Sequence, residues 1–349
     1  MTRPIRVLIV DDSLIVRKLL TEALSTASDI SVVGTAPDAL VASESITHFQ
    51  PDVITLDIEM PKMDGLSFLR SLPVTHTAAV IVVSSLGQSG CSAAIQALEA
   101  GAVDVVAKPG GPFSVGDLRF VLPDKIRAAY RAKRPMRLAN ASAPLGAVCT
   151  PRASAGAGPG LPLIAIGAST GGTEAVRAVL ADIPESCPPI LIVQHIPPVF
   201  SRAFADRLNN LCRIRVAEAV DGQKLEPGLA LVAPGNFHMT VHRANGTLHV
   251  AVQSGPRVCY QRPSIDVLFH SVAETVGSNS VGVILTGMGN DGARGLLRMK
   301  QAGAMTIAQD ENTSVIYGMP REAVRLEAVR QVAALPAIAG AIRAAAGLA

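Results

Sequence analysis

Up to about residue 127, short aliphatic runs alternate with segments whose apolar residues recur every three to four positions. The runs predict strands at 6–10, 31–36, 53–57, 79–84 and 103–107, with helical patterns such as 14–24 and 91–100 between them. Regular β-α alternation with short connections implies a parallel sheet covered on both faces. From 131 to 160 the pattern stops. That stretch has no acidic residue and no apolar period, and its second half is rich in Ala, Gly and Pro. It cannot bury enough surface to offset the entropy of ordering. Alternation then resumes, with strands expected at 163–167, 190–194, 228–233, 248–253, 282–286 and 305–308. Asn245-Gly246 suits a two-residue turn, so 240–253 reads as an inserted hairpin. The fold class is α/β throughout, in three parts: a first domain over 1–127, a linker over 128–160 and a second domain over 161–349.

Composition narrows the chemistry. The 349 residues suffice for two cores, and with 49% apolar but only 3% aromatic residues those cores must be aliphatic. A net charge of +3 and few stacking rings argue against nucleic-acid binding. The five cysteines are odd in number and form no Cys-x-x-Cys pair, which fits a reducing compartment and disfavours a zinc site. The first apolar stretch is too short and wrongly flanked for a signal peptide, and no segment reads as a membrane span. A soluble, cytoplasmic, monomeric protein is expected. The cluster Arg131, Lys133, Arg134 and Arg137 reads as a solvated helix end.

Asp11, Asp12 and Asp57 fall at the carboxyl ends of the first and third strands, where open α/β sheets collect ligands. Three such carboxylates repel unless a cation sits among them, and Mg²⁺ suits an all-oxygen donor set. Asp57 could then accept a phosphoryl group, with Lys108 and Ser84, at the ends of later strands, holding its oxygens. The pieces Val10-Asp11-Asp12-Ser13, Leu56-Asp57-Ile58-Glu59-Met60-Pro61 with Met63-Asp64-Gly65, Val83-Ser84-Ser85 and Lys108-Pro109 resemble the receiver domain of two-component response regulators. The resemblance implies a flavodoxin-like five-stranded sheet and phosphorylation of Asp57 by a histidine kinase with Mg²⁺. Val105 stands where many receivers carry an aromatic switch residue.

In the second half, Leu163-Ile-Ala-Ile-Gly-Ala-Ser-Thr-Gly-Gly172 drops an apolar run into a glycine-flanked serine. Gly167-x-Ser169-x-Gly171 matches a nucleophile elbow. A serine needs a base, and His195 follows the next aliphatic strand, Ile190-Leu-Ile-Val-Gln194. Asp291, in Thr286-Gly-Met-Gly-Asn-Asp-Gly292, is the candidate to orient that imidazole. The same turn offers the Met288 N–H to a developing oxyanion, and Thr170 adjoins the serine. His238 and His242, flanking the hairpin, read as structural. The order Ser, His, Asp differs from that of α/β-hydrolases, so a different sheet is expected.

These stretches, with Gln194-His-Ile-Pro-Pro198, Ala233-Pro-Gly-Asn-Phe-His238, Pro263-Ser-Ile-Asp-Val-Leu-Phe269 and Met319-Pro-Arg-Glu322, resemble the chemotaxis protein-glutamate methylesterase family. The resemblance implies a doubly wound α/β/α catalytic domain with Ser169 as nucleophile, His195 as base, Asp291 as its acid and Met288 at the oxyanion site. It also implies hydrolysis of glutamate γ-methyl esters and deamidation of glutamines on chemoreceptors, no cofactor for the esterase, and autoinhibition by the unphosphorylated receiver. Two rival readings are a nucleotide-binding output and a DNA-binding output. The Gly167–Gly172 turn lacks the Gly-Lys-Ser/Thr ending of a P-loop, and no basic recognition helix is present.

Overall fold

Five parallel strands form the first sheet: β1 (Ile5–Val10), β2 (Ile30–Ala36), β3 (Val53–Asp57), β4 (Ala79–Ser84) and β5 (Asp104–Ala107), in the order β2-β1-β3-β4-β5. The computed structural model describes residues 3–73, 76–85, 87–108, 115–132 and 162–348. Helices α1 (Leu14–Ser25), α2 (Ala39–Phe49) and α3 (Gly65–Ser71) start where Ser13, Asp38 and Asp64 accept a backbone N–H three residues on. Each cap satisfies one of the orphan donors of a helix start. Helices α4 (Gln88–Glu99) and α5 (Val115–Arg131) complete the unit. Helix α5 continues to Arg131, four residues into the stretch expected as linker. Residues 133–161, including Lys133, Arg134 and Arg137, lie outside the described residues.

The second sheet has seven parallel strands: β6 (Leu163–Ala168), β7 (Ile190–Gln194), β8 (Arg215–Glu218), β9 (Leu229–Val232), β12 (Ser280–Ile284), β13 (Met305–Gln309) and β14 (Gln331–Ala333). Between β9 and β12 the chain inserts the antiparallel hairpin of β10 (His238–Ala244) and β11 (Thr247–Gln253). The sheet order is β14-β13-β12-β6-β7-β9-β8. From β6 the chain fills one side of the sheet, with β9 inserted between β7 and the edge strand β8, and then returns to build outward from β12 on the other side. Such a reversal opens a crevice at the strands' carboxyl ends, and it falls where Ser169 leaves β6.

Period-two alternation divides β6 between two cores. Ile164 and Ile166 pack with α6 (Gly172–Ala181), α7 (Phe200–Leu211) and α11 (Leu335–Ala345). Leu163 and Ala165 pack with α8 (Ile265–Thr275), α9 (Ala293–Gln301) and the hairpin. The first of these apolar clusters is continuous with the core of the first sheet. Along that seam, Ile95 and Leu98 of α4 meet Phe204 and Leu208 of α7, and Arg207 grips Glu99 with two hydrogen bonds of 2.7 and 3.0 Å. Among the described residues, no helix is long and apolar enough to cross a membrane.

The expected strand 282–286 begins and ends two residues earlier. The Thr286 N–H goes to Gln309 Oε1 at 2.8 Å instead of a strand ladder, which lets the chain turn into the crevice. Strands β8 and β14 went unread because both are short edge strands with polar positions. Phe269, fully buried in α8, anchors the helix whose start will prove central. Phe269→Ala should lower the unfolding free energy of the second unit by about 3–5 kcal/mol. A denaturant melt of the full chain checks this, with the first unit's transition expected to stay in place.

Candidate active site and acidic centre

Ser169 follows β6 directly, and His195 follows β7. Ala168 and Gln194 are register partners in the parallel pair, so the next residue on each strand enters the same crevice. Besides the turn's own bond from the Gly172 N–H to the serine carbonyl (2.6 Å), two long-range bonds fix the serine backbone. Its N–H donates to the Thr286 carbonyl at 3.0 Å, and its carbonyl accepts from Gln194 Nε2 at 2.8 Å. The turn's left-handed residue is Gly171 (φ 76°), not the serine itself. The elbow therefore keeps its unusual backbone two positions past the hydroxyl.

Asp291 is the most heavily bonded group in the crevice. Its Oδ1 accepts from Ser264 Oγ (2.8 Å) and the Asp266 N–H (3.1 Å). Its Oδ2 accepts from the Ile265 N–H (2.8 Å) and His195 Nε2 (2.8 Å). Three of these donors come from the first turn of α8 and its cap, where backbone N–H groups are unsatisfied and the helix dipole favours an anion. Burial pushes the carboxyl up, but the His195 bond and charge and the two backbone donors outweigh it and hold Asp291 below its ordinary value. A carboxylate only accepts, so the ring proton of His195 lies on Nε2 and leaves Nδ1 as the free base. In the described residues no hydrogen bond yet joins that ring to the Ser169 hydroxyl, a link that often tightens only with substrate bound.

Met288 follows Gly287, where a Cβ would stand 2.7 Å from the Ser169 Cβ. The absence of a side chain lets this turn lie against the serine. The Met288 N–H has no hydrogen-bond partner among the described residues, so it is available to a negative oxygen. Thr170 turns the other way: its hydroxyl donates to Asp104 Oδ2 of β5 at 2.6 Å, across the seam. Lys125 Nζ holds the other oxygen of Asp104 at 2.6 Å. His238 ties two loops together, its Nδ1 accepting from the Ser264 N–H (3.2 Å) and its Nε2 donating to the Pro256 carbonyl (2.9 Å). Ser264 and Gln194 were not singled out as site residues in the sequence. The signal for Ser264 was its place before an apolar helical run, which marks an N-cap.

At the first sheet's carboxyl edge, oxygens of Asp11, Asp12 and Asp57 lie within 4.8 Å of one another, and Asp11 and Asp57 are fully buried. Lys108 Nζ contacts Asp57 at 2.8 Å and Asp11 at 3.1 Å. Burial raises the Asp11 carboxyl, with Asp57 adding to the shift; burial likewise raises Asp57, and Lys108 offsets it only in part. Burial works against the Lys108 charge, yet its bonds to Asp57 and Asp11 hold it above its ordinary value. Three carboxylates facing one ammonium leave a negative, oxygen-only cluster, which is a donor set for a hard divalent cation. Ser84 sits at the end of β4 with its hydroxyl donating to the Gly90 carbonyl at 3.1 Å.

The depressed Asp291 has a readable consequence for stability. Its ionised form favours folding at every pH above its ordinary value of 3.8, and that contribution is lost as pH falls through the lower folded value. The stability gap between the protein and Asp291→Asn should stay level down to about pH 5 and narrow below about pH 4. Chemical denaturation across pH checks it; a gap that widens in acid would contradict the arrangement.

Comparison with known proteins fits this geometry. The sequence model of the family described as CheB methylesterase matches residues 164–342, and that of the response regulator receiver domain matches residues 7–116. A protein-glutamate methylesterase/protein-glutamine glutaminase of Syntrophus aciditrophicus is 51% identical, covering 97% of this chain and 98% of its own. The protein of the same name from Escherichia coli K12 is 50% identical, with coverages of 94% and 93%. The crystal structure of the Thermotoga maritima CheB methylesterase catalytic domain superposes with a TM-score of 0.52 at 33% identity, covering 52% of this chain and 97% of that one. With an α/β receiver in front of such a catalytic sheet, the chain belongs to the CheB methylesterase family.

Proposed function

We propose that the protein is a phosphorylation-activated serine hydrolase, a protein-glutamate methylesterase and protein-glutamine glutaminase acting on chemoreceptors. The observation that carries this reading is the buried His195–Asp291 pair at the sheet's carboxyl edge, reached from the two strands that flank the strand of Ser169. Ser169 Oγ attacks the γ-carbonyl carbon of a methylated glutamate while His195 Nδ1 takes its proton. The Met288 N–H stabilises the oxyanion, and Asp291 stabilises the imidazolium. Collapse returns the proton to the leaving oxygen and releases methanol. Water then attacks the acyl-serine by the same route, leaving glutamate. A glutamine follows the same path with ammonia as the leaving group. Neither nucleotide nor DNA binding has a counterpart among these contacts.

Control falls to the first unit. Asp57 takes the phosphoryl group from a partner histidine kinase, and Lys108 and Ser84 engage its oxygens. Asp11, Asp12 and Asp57 would hold Mg²⁺, which supplies the positive charge that phosphoryl transfer onto a carboxylate requires. Ser84 must leave Gly90 to reach the phosphate, and that motion would disturb the start of α4, the helix that packs on α7. Ser169 is only 6% exposed, and its neighbour Thr170 is bonded to Asp104 of the first unit. That bond holds the receiver beside the serine turn, so parting the domains would widen access to Ser169. We assign the receiver to residues 1–131, through the end of α5, and the catalytic domain to 161–349.

Ser169→Ala should cut methanol release from methylated receptors by about 10⁴-fold or more while the fold persists. Near-normal turnover would remove Ser169 from the nucleophile role. Asp57→Asn should abolish stimulation by acetyl phosphate and keep the basal rate. Asp104→Ala, which releases Thr170, should raise the basal rate several-fold and shrink the further gain on phosphorylation. An unchanged basal rate would mean that the Asp104–Thr170 bond does not hold the closed state.

A further inference from the structure

Three loops lie beside the catalytic crevice, and they share two properties. The first, after His195, contains Val199 with φ 73°, an outlier for a β-branched residue. The second, between β9 and β10, holds Asn236 with φ 68° beside Phe237. The third is a tight reversal at Val258–Gln261, closed by hydrogen bonds of 3.0 and 2.8 Å between its end residues. Its two central residues, Cys259 and Tyr260, both have positive φ (49° and 63°). Turns of that backbone type ordinarily use Asn, Asp or Gly. Half of the eight non-glycine residues with positive φ among the described residues lie in these three loops.

The second property is exposure of apolar surface. Val199 is 43% exposed, Phe237 42% and Tyr260 82%. The loops carrying them are fastened to each other. The Pro198 Cα would stand 2.6 Å from a Cβ at Gly235, a contact only glycine permits. The Asn236 N–H donates to the Arg262 carbonyl, and the Arg262 guanidinium holds Asn236 Oδ1 and the Gly255 carbonyl. The rim also reaches the chemistry: Cys259 Sγ and carboxylate oxygens of Asp266 and Asp291 all lie within 4.8 Å of one another. Strained backbone persists where surrounding structure over-determines it, and such sites cluster at ligand clamps.

We propose that Val199, Phe237 and Tyr260 form a docking rim for the helical segment that carries the reacting glutamyl ester. This rests on the methylesterase reading above. A glutamyl γ-carbon carbonyl lies only about 4 Å from its own Cα, so the backbone bearing it must come down to the mouth of the crevice. On a helix, residues three and four positions away share that face at a spacing of about 5–6 Å. Apolar side chains at those positions meet the rim. Because the rim is exposed in the same structure in which Ser169 is buried, docking does not depend on access to the serine.

The test uses the full-length protein with methylated receptor-bearing membranes and, in parallel, p-nitrophenyl acetate, an ester too small to touch the rim. Tyr260→Asn removes the ring while suiting the left-handed backbone, and Tyr260→Phe keeps the ring. With acetyl phosphate present, Tyr260→Asn should raise KM for receptor about tenfold with kcat within about twofold. Hydrolysis of p-nitrophenyl acetate should stay unchanged, and Tyr260→Phe should restore the receptor KM. Unphosphorylated Asp57→Asn protein should cosediment with the membranes as well as wild type, and the double variant with Tyr260→Asn should not. An unchanged receptor KM overturns the proposal. So does a matching loss on p-nitrophenyl acetate, which would make the turn a support for the triad. Light scattering showing that Tyr260→Asn converts a dimer to a monomer would assign the rim to a second copy of this chain and overturn it as well. Failure of wild type to release methanol would instead sink the underlying esterase reading.

Discussion

A single carboxylate organises the second domain's chemistry. Asp291 takes four hydrogen bonds from two distant stretches of chain: the imidazole after β7, and the cap hydroxyl of α8 with two N–H groups of that helix's first turn. Burying a charge is costly unless it is fully bonded. Here the bonds also specify geometry, because a ring held by its Nε2 can present only Nδ1 to the serine. In the familiar serine triad the acid holds the other ring nitrogen. Here the carboxylate meets the imidazole with the ring turned round.

The switch in the first domain follows a parallel logic with the opposite outcome. Where Asp291 is oversupplied with donors, the receiver carboxylates are undersupplied: one ammonium serves Asp11 and Asp57, and Asp12 adds a third acid beside them. The first arrangement fixes a charge in place. The second leaves a site that gains from any incoming positive charge, which suits a centre meant to change state. The Asp104–Thr170 bond connects the two domains one residue from Ser169, so the receiver's grip falls on the serine turn itself.

Much of this was legible in the sequence. Strand-end placement alone located Asp11, Asp57, Ser169 and His195, because two buried parallel sheets leave little freedom for where their aliphatic runs end. The hairpin was evident from Asn245-Gly246, which adopts the positive φ values that such a turn needs. Other features were hidden for physical reasons. Ser264 reads as an ordinary helix cap until Asp291 is seen above it, since a cap's second partner is a tertiary fact. Thr170 reads as an attendant of the serine, yet its hydroxyl belongs to an interdomain bond that no local pattern encodes. The positive φ of Val199, Cys259 and Tyr260 contradicts local preference, and only the fastening of three loops to one another imposes it.

The uninterrupted aliphatic cluster that runs from the first sheet through α4 and α7 into the second has a thermal corollary. Any opening that parts the domains there must wet apolar surface, and wetting apolar surface raises heat capacity. The closed form is then held largely by solvent entropy near room temperature, and that hold weakens on cooling. A phosphoryl group of fixed chemical strength would therefore work against a restraint whose size depends on the weather of the cell.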